Sequence, residues 1–147
     1  KNIVSNIKEI GIRILLIPLA IIIGSIVGSI VSGIILKIPL NEAGAVGAGL
    51  GWYTLSSMML ANYSTELSAL AFISNVIREI IALIIIPIVA KHMGPLESIA
   101  TCGAPAMDTA LPVISKATDS ETTIIAFISG VICTMSVPVI LPIILKL

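Results

Sequence analysis

The sequence predicts an all-α integral membrane protein, a helical bundle of three long transmembrane helices and two segments broken by glycine or proline that are discontinuous or re-entrant. Three observations carry this. Hydrophobic residues make up 57% of the 147-residue chain and charged ones 11%, against roughly 25% charged in a soluble domain, and mean hydropathy is +1.16. Apolar runs at 12–36, 67–90 and 122–145 are each long enough to cross about 30 Å of hydrocarbon. Between them, 43–60 carries Gly44, Gly47, Gly49 and Gly51, and 96–117 carries Pro105 and Pro112. The chain reads as a single transmembrane domain, 1–147.

Lys1, Lys8, Glu9 and Arg13 open the chain as a polar lead-in too mixed for a cleaved signal peptide. In the first span, Gly24, Gly28 and Ser32 fall four apart, as do Ser25, Ser29 and Gly33. The two small-residue ridges are read as a packing seam for another helix. Lys37, Pro39, Asn41 and Glu42 then make a turn. The glycines that follow each weaken a helix by about 1 kcal/mol against alanine, so the segment is expected to be irregular or closely packed from Gly47 to Gly51. Trp52, Tyr53 and Ser56 come next; the aromatic pair either lines a pocket or anchors at a membrane interface.

Ser64 or Thr65 caps the span at 67–90. Arg78 and Glu79 stand at its midpoint. Ser68, Ala71, Asn75, Arg78, Glu79 and Ala82 share an arc of about 100° on a helical wheel, while Ile73, Ile77, Ile80, Ile81 and Ile84 lie mostly elsewhere. A midplane charge costs about 2.5–3.5 kcal/mol on insertion scales and nearly always pairs or faces water. Adjacent residues point about 100° apart and do not pair side by side, so Arg78 is expected to neutralise an acid elsewhere. A desolvated carboxylate takes up a proton more readily, which makes Glu79 a candidate to exchange a proton for a solute. His92, the sole histidine, reads as the polar end of this helix.

Leu96 to Cys102 leads into CGAPAMDTALP, where two prolines make a continuous helix improbable. Irregular backbone at membrane depth is tolerated only where it is buried in protein or lines a wet cavity. Gly103, Asp108 and Thr109 are therefore expected to form a lining. Asp119 or Ser120 caps the last span, whose end is expected to bend at Pro138 and Pro142.

The long spans begin near 12, 67 and 122, a spacing of 55 residues. Paired broken segments at corresponding positions point to the binding site in transporters built from repeats. If both segments span the membrane the repeats are parallel; if both re-enter they are inverted, and the loop charges do not decide. The candidate contacts for solute or ion are Glu79, Asp108, Asn75, Arg78, Thr109, Trp52, Tyr53 and Ser56, with broken-helix backbone at Gly49, Gly51, Gly103, Pro105 and Pro112. No cofactor or metal is expected: Cys102 and Cys133 lack ligand spacing and read as free thiols. Scattered charges of zero net sum give no nucleic-acid signature, and no hydrolase, metalloprotease or nucleotide-binding motif is present.

The runs GLGWYTLSSMML, FISNVIREIIALIIIPIVAKHMG, CGAPAMDTALPVISKATDSE and IAFISGVICTMSVPVILPIIL resemble the carboxy-terminal part of the lysine exporter family of prokaryotic inner membranes. GWY, NxxRE and MDTxLP are its most specific elements. The resemblance implies export of L-lysine and related cationic amino acids and places Glu79 at an embedded acid that the family needs; coupling to a gradient of H⁺ or Na⁺ is expected, and the sequence does not say which. Typical members are longer, with further helices and a second embedded acid upstream; this sequence is similar to the second of two chains into which some prokaryotes split the protein. A homodimer or a second short membrane subunit is therefore expected. The alternatives are a non-transporting scaffold subunit and a Na⁺-coupled carrier of another small solute.

Overall fold

The computed structural model describes residues 3–147, with side chains from Gly11 onward except Arg13. The described residues form seven α-helices: α1 (Ile3–Leu36), α2 (Leu40–Gly47), α3 (Tyr53–Ala61), α4 (Thr65–His92), α5 (Pro95–Ile99), α6 (Leu111–Ala117) and α7 (Ser120–Leu145). A 3₁₀ turn, Ala104–Met107, lies between α5 and α6. Three helices, at Ile14–Leu36, Thr65–His92 and Ser120–Leu145, are long and apolar enough to cross a membrane.

The two broken segments are helical hairpins, and the packing shows that each returns to the end of the bundle from which it started. At one end of the bundle, Asn41 Nδ2 at the start of α2 donates to Leu145 O at the end of α7 at 3.3 Å, and Ala43 packs on Gly33 near the end of α1. α4 starts at this same end, since Leu70 and Ser74 share a groove with Ser32, Gly33 and Leu36. α3 runs antiparallel to α4: Ser68 Oγ donates to Ser57 O at 2.8 Å, and Tyr53 meets Phe72 edge to face at 5.4 Å. The chain thus leaves this end in α2 and returns to it in α3. The second hairpin enters from the opposite end, where Leu96, Glu97 and Ala100 stand beside Leu16, Ile17 and Ala20 of α1, and α6 returns there to start α7. The repeats are inverted.

Sequence spacing agrees. α2 and α5 begin at 40 and 95, and α4 and α7 at 65 and 120, in both cases 55 apart. α1 departs from the series by starting at Ile3 rather than near 12, its helix continuing through the polar lead-in. Both expected caps form: Ser64 Oγ accepts from Leu67 N at 3.3 Å, and Asp119 Oδ1 accepts from Thr122 N at 2.8 Å.

The hairpin tips meet in the middle of the bundle. Ala104 N donates to Leu50 O at 2.9 Å, the space beside Gly51 is filled by Pro105, and that beside Gly103 by the Leu50 carbonyl. The approach needs backbone that side chains rarely adopt: φ is 50° at Leu50, 92° at Gly51 and 80° at Gly103. α7 is the central helix. Over its most apolar 18 residues 39% are buried, against 17% for α1 and 22% for α4, and Gly130 lets Ala106 and Met107 of the second tip lie against its backbone.

Outside, the packing order of a water-soluble bundle is reversed. Ile73, Ile77, Ile80, Ile81 and Ile84 are 49–64% exposed, whereas Ala71, Asn75 and Ala82 face inward, as the wheel of α4 predicts. Of the two small-residue ridges on α1, only Ser25–Ser29–Gly33 receives a helix, α2; Gly24 and Gly28 have no neighbour within 4 Å of where a Cβ would stand. Pro112 does not interrupt a helix but opens one, in the first turn of α6, where its missing N–H costs nothing.

Candidate functional site

Where the tips meet, a cavity of about 240 Å³ opens. The first hairpin contributes Gly51, Trp52, Tyr53 and Thr54; the second contributes Pro105, Met107, Asp108 and Thr109. Glu79 enters from the middle of α4 and Thr134 from α7. Two carboxylates from different elements therefore face one space at the centre of the bundle. Trp52 is the N-cap residue of α3, so the first turn of that helix, with its unpaired N–H groups and partial positive charge, begins at the cavity wall.

Local geometry explains each position. Pro105 is the second residue of the 3₁₀ turn, which Asp108 caps; Asp108 Oδ1 accepts from Thr109 N at 2.6 Å, and Asp108 and Thr109 are exposed. Glu79 is half-buried. Thr134 Oγ1 lies 3.5 Å from Met107 Sδ, tying α7 to the second tip. Trp52 and Tyr53, left open between pocket and interface, line the cavity.

Asn75, Arg78 and Ser56 do not join this lining. Asn75, 2% exposed, uses its whole amide on backbone: Oδ1 accepts from Gly51 N at 2.8 Å, and Nδ2 donates to Ala71 O at 2.9 Å and Val46 O at 3.3 Å. It clamps the first tip. Ser56 is buried against Gly49, its hydroxyl donating to Tyr53 O at 3.3 Å. Arg78 points to the other side of the crossing and, among the described residues, pairs with no acid, contrary to expectation; its Nη1 donates to Ser25 Oγ at 2.6 Å. Gly49, Gly103 and Pro112 shape the breaks without lining the cavity.

The chain matches the family described as "Lysine exporter LysO" over residues 1–145. It belongs to the lysine exporter LysO family. Among LysO-family relatives, it is 28% identical over 128 residues to the protein named lysine exporter LysO of Escherichia coli (strain K12), an overlap of 86% of this chain and 42% of that one. It is 35% identical over 107 residues to a putative lysine exporter of Haemophilus influenzae (strain ATCC 51907 / DSM 11121 / KW20 / Rd), covering 72% of this chain and 54% of the relative. The chain spans about half the length of the curated relatives it matches. No solved structure matches it. Like the family, it is a multi-pass membrane protein.

Four lining residues, Thr54, Ala104, Met107 and Thr134, escape the sequence reading. Thr134 had a signal: with Ser129 and Ser136 it is one of three hydroxyls in the middle of a strongly apolar helix, where polar groups face the protein interior. Met107 had none, being apolar in an apolar chain.

Proposed function

We propose that this chain carries the solute-binding site of a lysine exporter, and that the cavity between the hairpin tips holds the solute. The observation that supports it is the convergence of Glu79 and Asp108 on one small cavity bordered by the amino terminus of α3. A cationic amino acid has an ammonium at each end and one carboxylate. The two acids match the ammonium groups, and the α3 terminus matches the carboxylate. At about 240 Å³ the space is smaller than the roughly 300–1,000 Å³ of drug-sized pockets, in keeping with a single amino acid. Trp52 and Tyr53 offer ring faces to a cation.

Glu79 is the proposed proton carrier, because it sits on a rigid long helix at the depth where a released proton must be exchanged for solute. Asp108 is the proposed solute ligand, because its carboxylate is exposed at the second tip, in the lining of the cavity. A homodimer or a second membrane chain completes the transporter, consistent with the half-length match to its relatives.

The test is export of labelled lysine from cells expressing the chain with its membrane partner. Glu79→Gln and Asp108→Asn should each lower export at least about tenfold, a rise of roughly 1.4 kcal/mol in the barrier, at near-parental protein levels. Glu79→Gln should also flatten the dependence on the proton gradient. Parental export by both variants would instead favour a scaffold subunit.

A further inference from the structure

Arg78 and Glu79 are neighbours in sequence but lie on opposite sides of the tip crossing, and Arg78's side is rich in carbonyl oxygens. Arg78 Nη1 donates to Ser25 Oγ at 2.6 Å, and Ser25 Oγ donates in turn to Gly47 O at 2.7 Å. Gly47 is the last residue of α2. Nη2 lies against the second tip: a Cβ on Gly103 would stand 3.2 Å from it. Gly103 itself rests on the Leu50 carbonyl, and the Cys102 carbonyl faces Gly51.

α2 runs from the bundle's end to its middle, so its carboxy-terminal carbonyls, with their partial negative charge, converge here with those released by the two breaks. In transporters built from repeats, unwound carbonyls and half-helix carboxy termini are where Na⁺ is coordinated. Here the guanidinium meets the second tip at Gly103 and reaches the end of α2 through the Ser25 hydroxyl. Among the described residues no carboxylate lies within ion-pair distance of Arg78, and its one hydrogen bond goes to the Ser25 hydroxyl that caps the Gly47 carbonyl.

We propose that Arg78 is a resident cation, filling the position at the tip crossing that a coupling Na⁺ would otherwise occupy and holding the two hairpin tips together without one. Its consequence for transport, that export needs no Na⁺, rests on the exporter reading above; the tip-holding role does not. Arg78 acts as a positioning residue, since it reaches the cavity only through the tips.

Trp52, the chain's one tryptophan, follows Gly51 directly and reports on the tips by its fluorescence. The experiment uses the full chain reconstituted in bilayers and compares NaCl with choline chloride. The parental protein should show the same Trp52 emission and melting temperature in both. Arg78→Gln should red-shift the emission and lower the melting temperature, and guanidinium added at millimolar levels should reverse both in a saturable manner; Arg78→Lys should stay close to parental. Because the readout is fluorescence, it remains interpretable if lysine is not exported. A saturable Na⁺ response of the parental protein overturns the proposal, as does Arg78→Gln that either keeps parental emission or ignores guanidinium. If Arg78→Gln cannot be recovered, Arg78→Lys decides: Na⁺-independent parental emission supports the resident cation, and a shifted emission overturns it.

Discussion

The two hairpins are repeats of one design, yet their tips are built in opposite ways. The first breaks at glycines, carries no charge, and is clamped from outside by the Asn75 amide on Gly51 N and Val46 O. The second breaks around Pro105, carries Asp108, and is positioned by close backbone packing of Gly103 on Leu50 and of Met107 on Gly130. The difference separates two tasks. One tip is fixed and presents the start of α3; the other presents a carboxylate whose partner in its own loop is Thr109, leaving it free to meet a solute.

The largest expected effect comes from the contact between the tips. Gly103→Ala puts a side chain at φ 80°, a strain of about 1–3 kcal/mol, and drives it into the Leu50 carbonyl. Thermal melting of the reconstituted chain should show a clear drop. Gly24→Ala, with nothing within 4 Å of the added Cβ, should leave melting unchanged. An unaffected Gly103→Ala would mean that the tips do not touch.

Asn75→Ala sharpens the contrast between clamp and ligand. It leaves the buried Gly51 N–H without its acceptor, a cost of about 1–3 kcal/mol, again read by melting. Export per folded molecule should fall much less than in Glu79→Gln; an equal fall would return Asn75 to the solute path.

The smallest effect concerns the helix starts beyond the hairpins, where Ser64 and Asp119 stand 55 residues apart as N-caps of α4 and α7. Replacing either by alanine should cost about 0.5–2 kcal/mol. Only Asp119 titrates. The Thr122 N–H holds its carboxylate below the usual 3.8, so the folded state binds the proton less tightly than the unfolded chain. The cap therefore contributes fully above 3.8 and is lost as pH falls through the lower folded value. Melting should show the Asp119→Ala deficit narrowing in acid while the Ser64→Ala deficit does not.

Much of this was legible in the residues. Three apolar runs and two interrupted ones gave the elements, and Glu79 and Asp108 stood out because charge at membrane depth is costly enough to need a reason. Re-entry was not legible, because Lys37 and Lys91 balance the loops and hydropathy alone does not distinguish a hairpin from a crossing. Asn75 and Arg78 were grouped with Glu79 because they share its helix arc; that the amide spends its hydrogen bonds on backbone and the guanidinium on a serine hydroxyl is decided by tertiary neighbours, here Gly51 and Ser25, from segments far off in sequence.

The central claim is that the hairpins enter from opposite ends and meet at the cavity, and side-specific thiol labelling tests it most directly. The native Cys102 and Cys133 are buried, so single cysteines introduced at exposed Lys37, Asn62, Met93 and Ser120 can be probed in intact membranes with an impermeant reagent. Lys37→Cys and Asn62→Cys should react from one side, and Met93→Cys and Ser120→Cys from the other. If Lys37→Cys and Asn62→Cys react from opposite sides, the first segment crosses the membrane, the tips do not meet, and the account is contradicted.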